Sequence, residues 1–354
     1  MMRASLTRRN LLVAGTTVLA APYVLSHPAR AAGQVVIRNP GGAWSDTQKK
    51  YIYEPFTKET GIEVVIVPTT LTKMLAMVKS GGSELDVADA GLDGLVELDK
   101  LGALAPIDYG AWKYAKVDEI PQHYRTATTV GMALYATVLG YNTKTFPNNT
   151  QPKGWVEFWD AKKFPGSRML ADMASGSPNL EFALIADGVP MDKIFPIDID
   201  RAFKSMSRIK PYIKKFWDTG ALSAQMLADR DAVLGSIWNG RLHAIRVKGA
   251  PVAVDWTQHM LQIQAYGIFK NAKNMKNAQL YIDYANQAKA QVGMPKELNY
   301  GPTNTKAFDL LTPAQIANLP GSPENMKRCF IQDVTWWSDN RAKVNAIWSK
   351  WILT

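Results

Sequence analysis

Gln34-Val35-Val36-Ile37-Arg38-Asn39-Pro40-Gly41-Gly42 is a short apolar run that stops at a turn-forming loop. Its length and β-branched content make it a strand rather than a helix, and Asn-Pro-Gly-Gly ends it. Downstream, residues 46–60 read as helical, with Tyr51, Ile52 and Phe56 on one side. Pro55 lacks a backbone N–H and should divide that stretch into two short helices. Gly61 stands where a C-terminal cap belongs. Residues 62–67 read as a second strand and 71–79 as a second helix carrying Met74, Leu75 and Val78. Residues 85–89 read as a third strand and 91–101 as a third helix. The order β-α-β-α-β-α implies an α/β fold, a parallel sheet covered by helices. Ligands of such sheets bind beyond the carboxyl ends of the strands. The loops 39–46 and 89–93 are therefore candidate site loops, with Trp44 as a flat apolar wall, Ser45 beside it, and Asp93. A Gly-Gly turn with a tryptophan packed on its own helix would give the same pattern.

The chain has 354 residues, enough for two ordinary compact units, and 47% of them are hydrophobic. That composition excludes long-range disorder. Basic residues outnumber acidic ones by 41 to 31, a balance that first suggests nucleic acid. The excess is dispersed, however, in pairs such as Lys49-Lys50 and Lys214-Lys215, and nucleic acid is not expected as a partner. Four arginines fall in the first 31 residues, a stretch without acids. There Thr7-Arg8-Arg9-Asn10-Leu11-Leu12 precedes an apolar run to Leu25, and Ala29-Arg30-Ala31 offers small residues to a signal peptidase. Residues 1–31 are read as a secretory signal, and the paired arginines resemble a twin-arginine export signal. An ordinary Sec signal is the alternative. No later stretch reaches the ~18 apolar residues of a membrane helix, so an exported protein is expected. A lone cysteine, Cys329, excludes a disulfide framework and a thiolate metal cluster, and is expected as a buried thiol.

No phosphate-binding G-x-x-x-x-G-K-[ST] loop and no G-x-G-x-x-G occurs. G-x-S-x-G and H-E-x-x-H, signatures of serine and zinc hydrolases, are also missing. Beyond the export signal the histidines are His123, His243 and His259, none with a ligand-spaced histidine neighbour. No catalytic residue, cofactor or metal is therefore expected. An exported hydrolase with an unrecognised carboxylate pair stays open as the rival class.

After Pro106 the character changes. Residues 127–141 are apolar and strand-like, and 138–142 read as a strand crossing into a second lobe. There Phe203, Met206, Ile209, Ile213 and Phe216 mark a helix pair broken at Pro211, and 232–240 a strand entering a loop. Residues 265–269 read as the return crossing and 274–291 as an amphipathic helix. This gives a first lobe of residues 32–139 plus 266–354 and a second of 140–265.

Gly41-Gly42-Ala43-Trp44 and 55–64, then Ile237-Trp238-Asn239-Gly240-Arg241, then Asn299-Tyr300-Gly301-Pro302-Thr303-Asn304, resemble in order and spacing the bacterial periplasmic solute-binding proteins of the spermidine/putrescine-binding kind. The resemblance implies a two-lobed clamshell of type II, each lobe a sheet flanked by helices. It implies a periplasmic, monomeric binding protein that delivers a small solute to an inner-membrane ABC permease, without catalysis. It places Trp44, Trp238 and Tyr300 at ligand-facing aromatic positions, which suits a chain with 11 tryptophans and 13 tyrosines, since aromatic faces attract ammonium groups. Asp93 falls in a ligand-contacting loop. The aspartate that grips an amine in polyamine-binding relatives is replaced here by Gln264. Arg241 adds a cation with bidentate geometry for carboxylates. A polyamine would not welcome it, whereas a γ-aminobutyrate-like amino acid would, and the solute is left open between these two.

Overall fold

The computed structural model describes residues 33–82 and 84–354, so the export-signal reading of residues 1–31 lies outside the described residues. The strands are β1 (Gln34–Asn39), β2 (Glu63–Pro68), β3 (Val87–Gly91), β4 (Leu104–Ala105), β5 (Thr129–Asn142), β6 (Arg168–Ala171), β7 (Ile213–Trp217), β8 (Leu234–Trp238), β9 (Val252–Phe269), β10 (Gly301–Pro302) and β11 (Cys329–Ile331). They form one sheet in the order β2-β1-β3-β9-β5-β8-β6-β7, with β4 and β11 added to β9 and β10 to β5. At one end β1 runs parallel to β2 and β3. At the other β6 runs parallel to β7 and β8. Between these sets stand β5 and β9, paired antiparallel along their lengths. The expected α/β class holds, with two parallel sets joined by a shared antiparallel pair. The β5–β9 register shifts between Gly131 and Ala133 and again between Thr137 and Leu139. Irregularities of this kind bend a strand and increase its twist.

Local chemistry explains most boundaries. Gly61 ends the Glu54–Thr60 helix at φ 73°, a left-handed cap that glycine adopts without strain. Pro55 does not divide its segment. It lies in the first turn of Glu54–Thr60, where no N–H is needed, and a π-helical stretch Lys49–Tyr53 links that helix to Gly42–Gln48. The helix pair read around Pro211 is half right. Ile199–Ile209 is a helix, but Ile213 and Phe216 belong to β7. Residues three apart share a helix face but fall on opposite faces of a strand, and in β7 Ile213 and Phe216 are each half-buried on their own face after the Lys210–Tyr212 turn that contains Pro211. β7 ends the sheet path and exposes Lys214 and Lys215, charges that discourage pairing with another chain.

Two large apolar clusters divide the core. Val35, Ile37 and Phe56 pack with Tyr281, Ile282 and Ala285 of the Met275–Ala285 helix. Trp155, Phe182, Phe203 and Met206 pack with Trp337, Val344 and Trp348 of the C-terminal helix Val334–Trp351. The C-terminal helix buries its aromatic face beside residues 155–206 and also packs on the Leu92–Lys100 helix, through Arg341 with Asp93 and Glu97 and Asp339 with Lys100. Phe216 meets Trp348 edge-on at 5.2 Å, which anchors that face. Cys329 is half-buried rather than buried, because it lies on the short strand β11. Among the described residues no helix is long and apolar enough to cross a membrane.

Candidate functional site

A cavity of about 870 Å³ opens at the carboxyl ends of both parallel sets. β1 leads to Ala43 and Trp44, β2 to Thr70, β3 to Gly91 and Asp93, β6 to Asp172, β7 to Trp217, and β8 to Trp238 and Arg241. Each parallel strand therefore delivers at least one wall residue.

One wall is aromatic and spans both sets. Trp44 lies 5.6 Å from Tyr300, Tyr300 6.1 Å from Tyr135, Tyr135 6.3 Å from Trp238, and Trp238 5.3 Å from Trp217, all tilted or edge-on. Such a row gives an apolar ligand chain continuous contact and gives a cation π-faces. The tripeptide Trp238-Asn239-Gly240 builds its centre. Trp238 faces the cavity. The Asn239 side chain accepts from the Ala136 N–H at 2.9 Å and donates to the Asn299 carbonyl at 2.7 Å. Gly240 has no side chain because a Cβ there would stand 2.3 Å from the Tyr300 ring. Beyond Tyr300, the Gln291 side-chain carbonyl accepts from the N–H groups of Thr303 and Asn304 at 2.9 and 2.8 Å. That segment anchors the chain just beyond Tyr300 and is not itself on the cavity wall. Burial pushes the Tyr300 hydroxyl up to about 12, against the opposing charge of Arg241.

The charged groups sort into spent and unspent ones. Asp89 is buried behind the wall and accepts from Trp44 Nε1 at 2.8 Å, Gln48 Nε2 at 2.8 Å and Gln264 Nε2 at 2.6 Å. Burial pushes its carboxyl up, and these hydrogen bonds and nearby Arg38 pull it back. Arg38 donates to the carbonyls of Thr69 and Asp89 at 2.8 and 2.6 Å. Asp172 accepts from the Ala174 N–H at 2.8 Å and so closes its own loop. Asp93 is ion-paired with Arg341. Arg241 has no carboxylate or hydrogen-bond partner among the described residues, and its charge reaches the Tyr300 hydroxyl. It lies between Gly42 and Gly220, where a Cβ would come within 3.7 Å of Nη1 and 2.9 Å of Nε respectively.

Of the residues singled out from sequence, the fold brings Trp44, Asp93, Trp238, Arg241, Gln264 and Tyr300 to this cavity. Ser45 is not on its wall. The Gly42–Gln48 helix already includes Trp44, so the next residue turns about 100° away from it. Gln264 reaches the wall with its amide spent on Asp89. Sequence reading missed Tyr135, Trp217 and Arg341. Tyr135 sat inside an apolar run without a local mark. Trp217 directly follows a stretch read as helix, and Arg341 lies in a C-terminal segment where no site residue was expected.

Comparison with known proteins agrees with this geometry. The profile of the bacterial extracellular solute-binding protein family matches residues 51–324. The chain is 28% identical over 324 residues to the γ-aminobutyric acid-binding protein of Pseudomonas aeruginosa, covering 88% of each. It is 24% identical over 289 residues to the spermidine/putrescine-binding periplasmic protein of Escherichia coli, covering 78% of this chain and 80% of that one. The crystal structure of an ABC transporter substrate-binding protein from Bradyrhizobium japonicum superposes with a TM-score of 0.82 at 34% identity, covering 90% of this chain and 99% of that one. An α/β sheet with a cleft at its strand ends, an aromatic wall and matching relatives along most of its length together show that the chain belongs to the bacterial extracellular solute-binding protein family.

Proposed function

We propose that this protein captures a small zwitterion, an ω-amino acid of the γ-aminobutyrate kind, and passes it to an ABC permease in the inner membrane. The observation that carries the reading is Arg241, a cavity-wall guanidinium without an anionic partner among the described residues. Such a group is costly to desolvate unless an anion meets it, and a carboxylate meets its planar fork with two parallel hydrogen bonds. Trp44, Trp238 and Tyr300, with Tyr135, would sheathe the ligand's methylenes, and Asp93 would face its ammonium. Gln264 would act indirectly by holding Asp89 and, through it, Trp44. The relative that binds γ-aminobutyric acid supports this class.

The proposal includes export to the periplasm, action as a monomer, and no catalysis. Two lobes, joined through β5 and β9, would close on the solute by bending of this strand pair, whose register shifts between Thr137 and Leu139. The C-terminal helix would travel with the second lobe, because Trp337 and Trp348 share that lobe's core with Phe203 and Met206. A polyamine is the second reading, favoured by the carboxylates of Asp93 and Glu97 on the same wall.

A thermal-shift screen of the protein against ω-amino acids, α-amino acids, diamines and simple carboxylates tests the proposal. A ligand at 100 times its Kd should add about 2.7 kcal/mol of stability. Shifts confined to diamines and polyamines would sink the zwitterion reading.

A further inference from the structure

Arg341 is the cavity cation that the proposed binding scheme leaves without a task. It projects from the C-terminal helix, 14% exposed, toward two carboxylates of the Leu92–Lys100 helix. Its Nη2 is hydrogen-bonded to Asp93 Oδ2, and its Nε lies 3.3 Å from Glu97 Oε2. Its Nη1 donates to the carbonyl of Gly176. One guanidinium thus serves two acids, leaving the group with a single net negative charge at the cavity wall. Glu97 Oε2 and Arg341 Nε are both buried and, though 3.3 Å apart as an ion pair, are not aligned into a hydrogen bond. The remaining wall acid, Asp172, is turned onto its own loop. The remaining wall cations are Arg38, held by two carbonyls beside Asp89, and Arg241.

We infer that Arg341 is a specificity-determining residue that holds this site to one ligand ammonium. By cancelling one of the two charges of Asp93 and Glu97, it leaves enough negative potential for one amine. A diamine would then have to place its second ammonium near Arg241 or Arg341, where like charges in a partly desolvated cavity repel strongly. This is discrimination by a repulsive element, built against the wrong ligand rather than for the right one. The inference rests on the proposed zwitterionic ligand and adds what excludes its diamine counterpart.

Putrescine and γ-aminobutyrate make the test direct, since both carry four carbons and differ in one ammonium against one carboxylate. Isothermal titration with both probes should be run on the wild-type chain and on Arg341→Gln, Arg341→Met and Arg341→Lys. The neutral variants should gain about tenfold or more in putrescine affinity relative to wild type, because a repelling charge has been removed. Arg341→Lys, which keeps the charge and loses the fork, should discriminate like wild type. Two neutral variants that melt like wild type yet gain no affinity for putrescine would overturn the inference. A lysine variant that gains as much as the glutamine variant would overturn it too, since fork geometry and not charge would then be at work. The readout is the change in putrescine affinity, so it does not depend on the identity of the natural solute. A wild type that ignores γ-aminobutyrate counts against the proposed ligand, whereas neutral variants that ignore putrescine count against Arg341 as the gate.

Discussion

Gln264 and Asp89 meet behind the cavity wall, with Nε2 of the one 2.6 Å from Oδ1 of the other, on the paired strands β9 and β3. The glutamine stands where polyamine-binding relatives are expected to carry an acid. Here its amide is a donor to a buried carboxylate, and the same carboxylate holds the indole N–H of Trp44 at 2.8 Å. An aspartate at 264 would set one acid against another. Gln264→Asp should therefore cost about 1–3 kcal/mol of stability near neutral pH, the scale of an unsatisfied buried polar group. Part of the loss should return in acid, because one carboxyl of a close pair takes up a proton. Urea denaturation at two pH values measures both, and a variant as stable as wild type near neutrality would refute the contact's importance.

Arg241 carries the proposed ligand's anion. Arg241→Ala should weaken binding of a carboxylate solute by about 2–5 kcal/mol, the scale for removing one partner of a buried charge pair. Arg241→Lys should recover only part, since an ammonium lacks the planar fork. The melting temperature of the ligand-free protein should hardly move, because no partner within the fold is lost. Unchanged or tighter binding by Arg241→Ala in calorimetry would return the choice to polyamines.

Gly240 gives the Tyr300 ring its place. In Gly240→Ala the new methyl would fall 2.3 Å from that ring. Overpacking of this kind costs about 1–3 kcal/mol. Tyr300 links Trp44 to Tyr135 in the wall, so solute affinity should fall as well. Combined with Tyr300→Ala, the cost should be smaller than the two single costs together, since contacting residues are not additive. A fully additive double mutant would show that the two do not collide.

Glu181 introduces a pH dependence away from the cavity. Its carboxylate is buried, accepts from the Trp337 indole N–H at 2.6 Å, and has its other oxygen without a donor. Burial pushes its pKa from 4.5 up to about 7. The folded state therefore holds a proton that the unfolded chain releases, and stability falls as pH rises from about 4.5 to about 7. The loss from this group alone is on the order of 3 kcal/mol, at 1.36 kcal/mol per pH unit. Glu181→Gln should flatten that part of the stability profile. A wild type and a glutamine variant with parallel profiles across this window would place the ionisation elsewhere.

The fold's first half was legible because its signals are local. β-branched runs ended by Asn-Pro-Gly-Gly or by a capping glycine specify strand, turn and helix within a few residues, and β1, β2 and β3 lie within two residues of their expected bounds. The tripeptide Trp238-Asn239-Gly240 was singled out only through its resemblance to a family motif, and the structure supplies the reason for it, an amide that ties Ala136 to Asn299 and a glycine against the Tyr300 ring. Where local spacing pointed to the wrong structure it misled, as at Ile213 and Phe216, whose i, i+3 spacing reads as a helix face although both sides of β7 are partly covered.

Other features depend on residues far apart in the chain. Gln264 and Asp89 are 175 residues apart, and Arg341 and Asp93 are 248 apart. Composition records how many acids and bases the chain has, but only packing decides which of them neutralise one another. A carboxylate in the sequence can be a ligand, a cap or half of an ion pair, and its energy in a partly buried cavity depends on neighbours within a few ångströms. The sequence therefore specified an α/β solute-binding protein with aromatic and cationic residues at its strand ends. The tertiary structure decided that Asp89 is spent on Trp44, Gln48 and Gln264, that Asp93 and Glu97 share Arg341, and that Arg241 has no anionic partner among the described residues, because charge pairing is a property of distance in space and not of order along the chain.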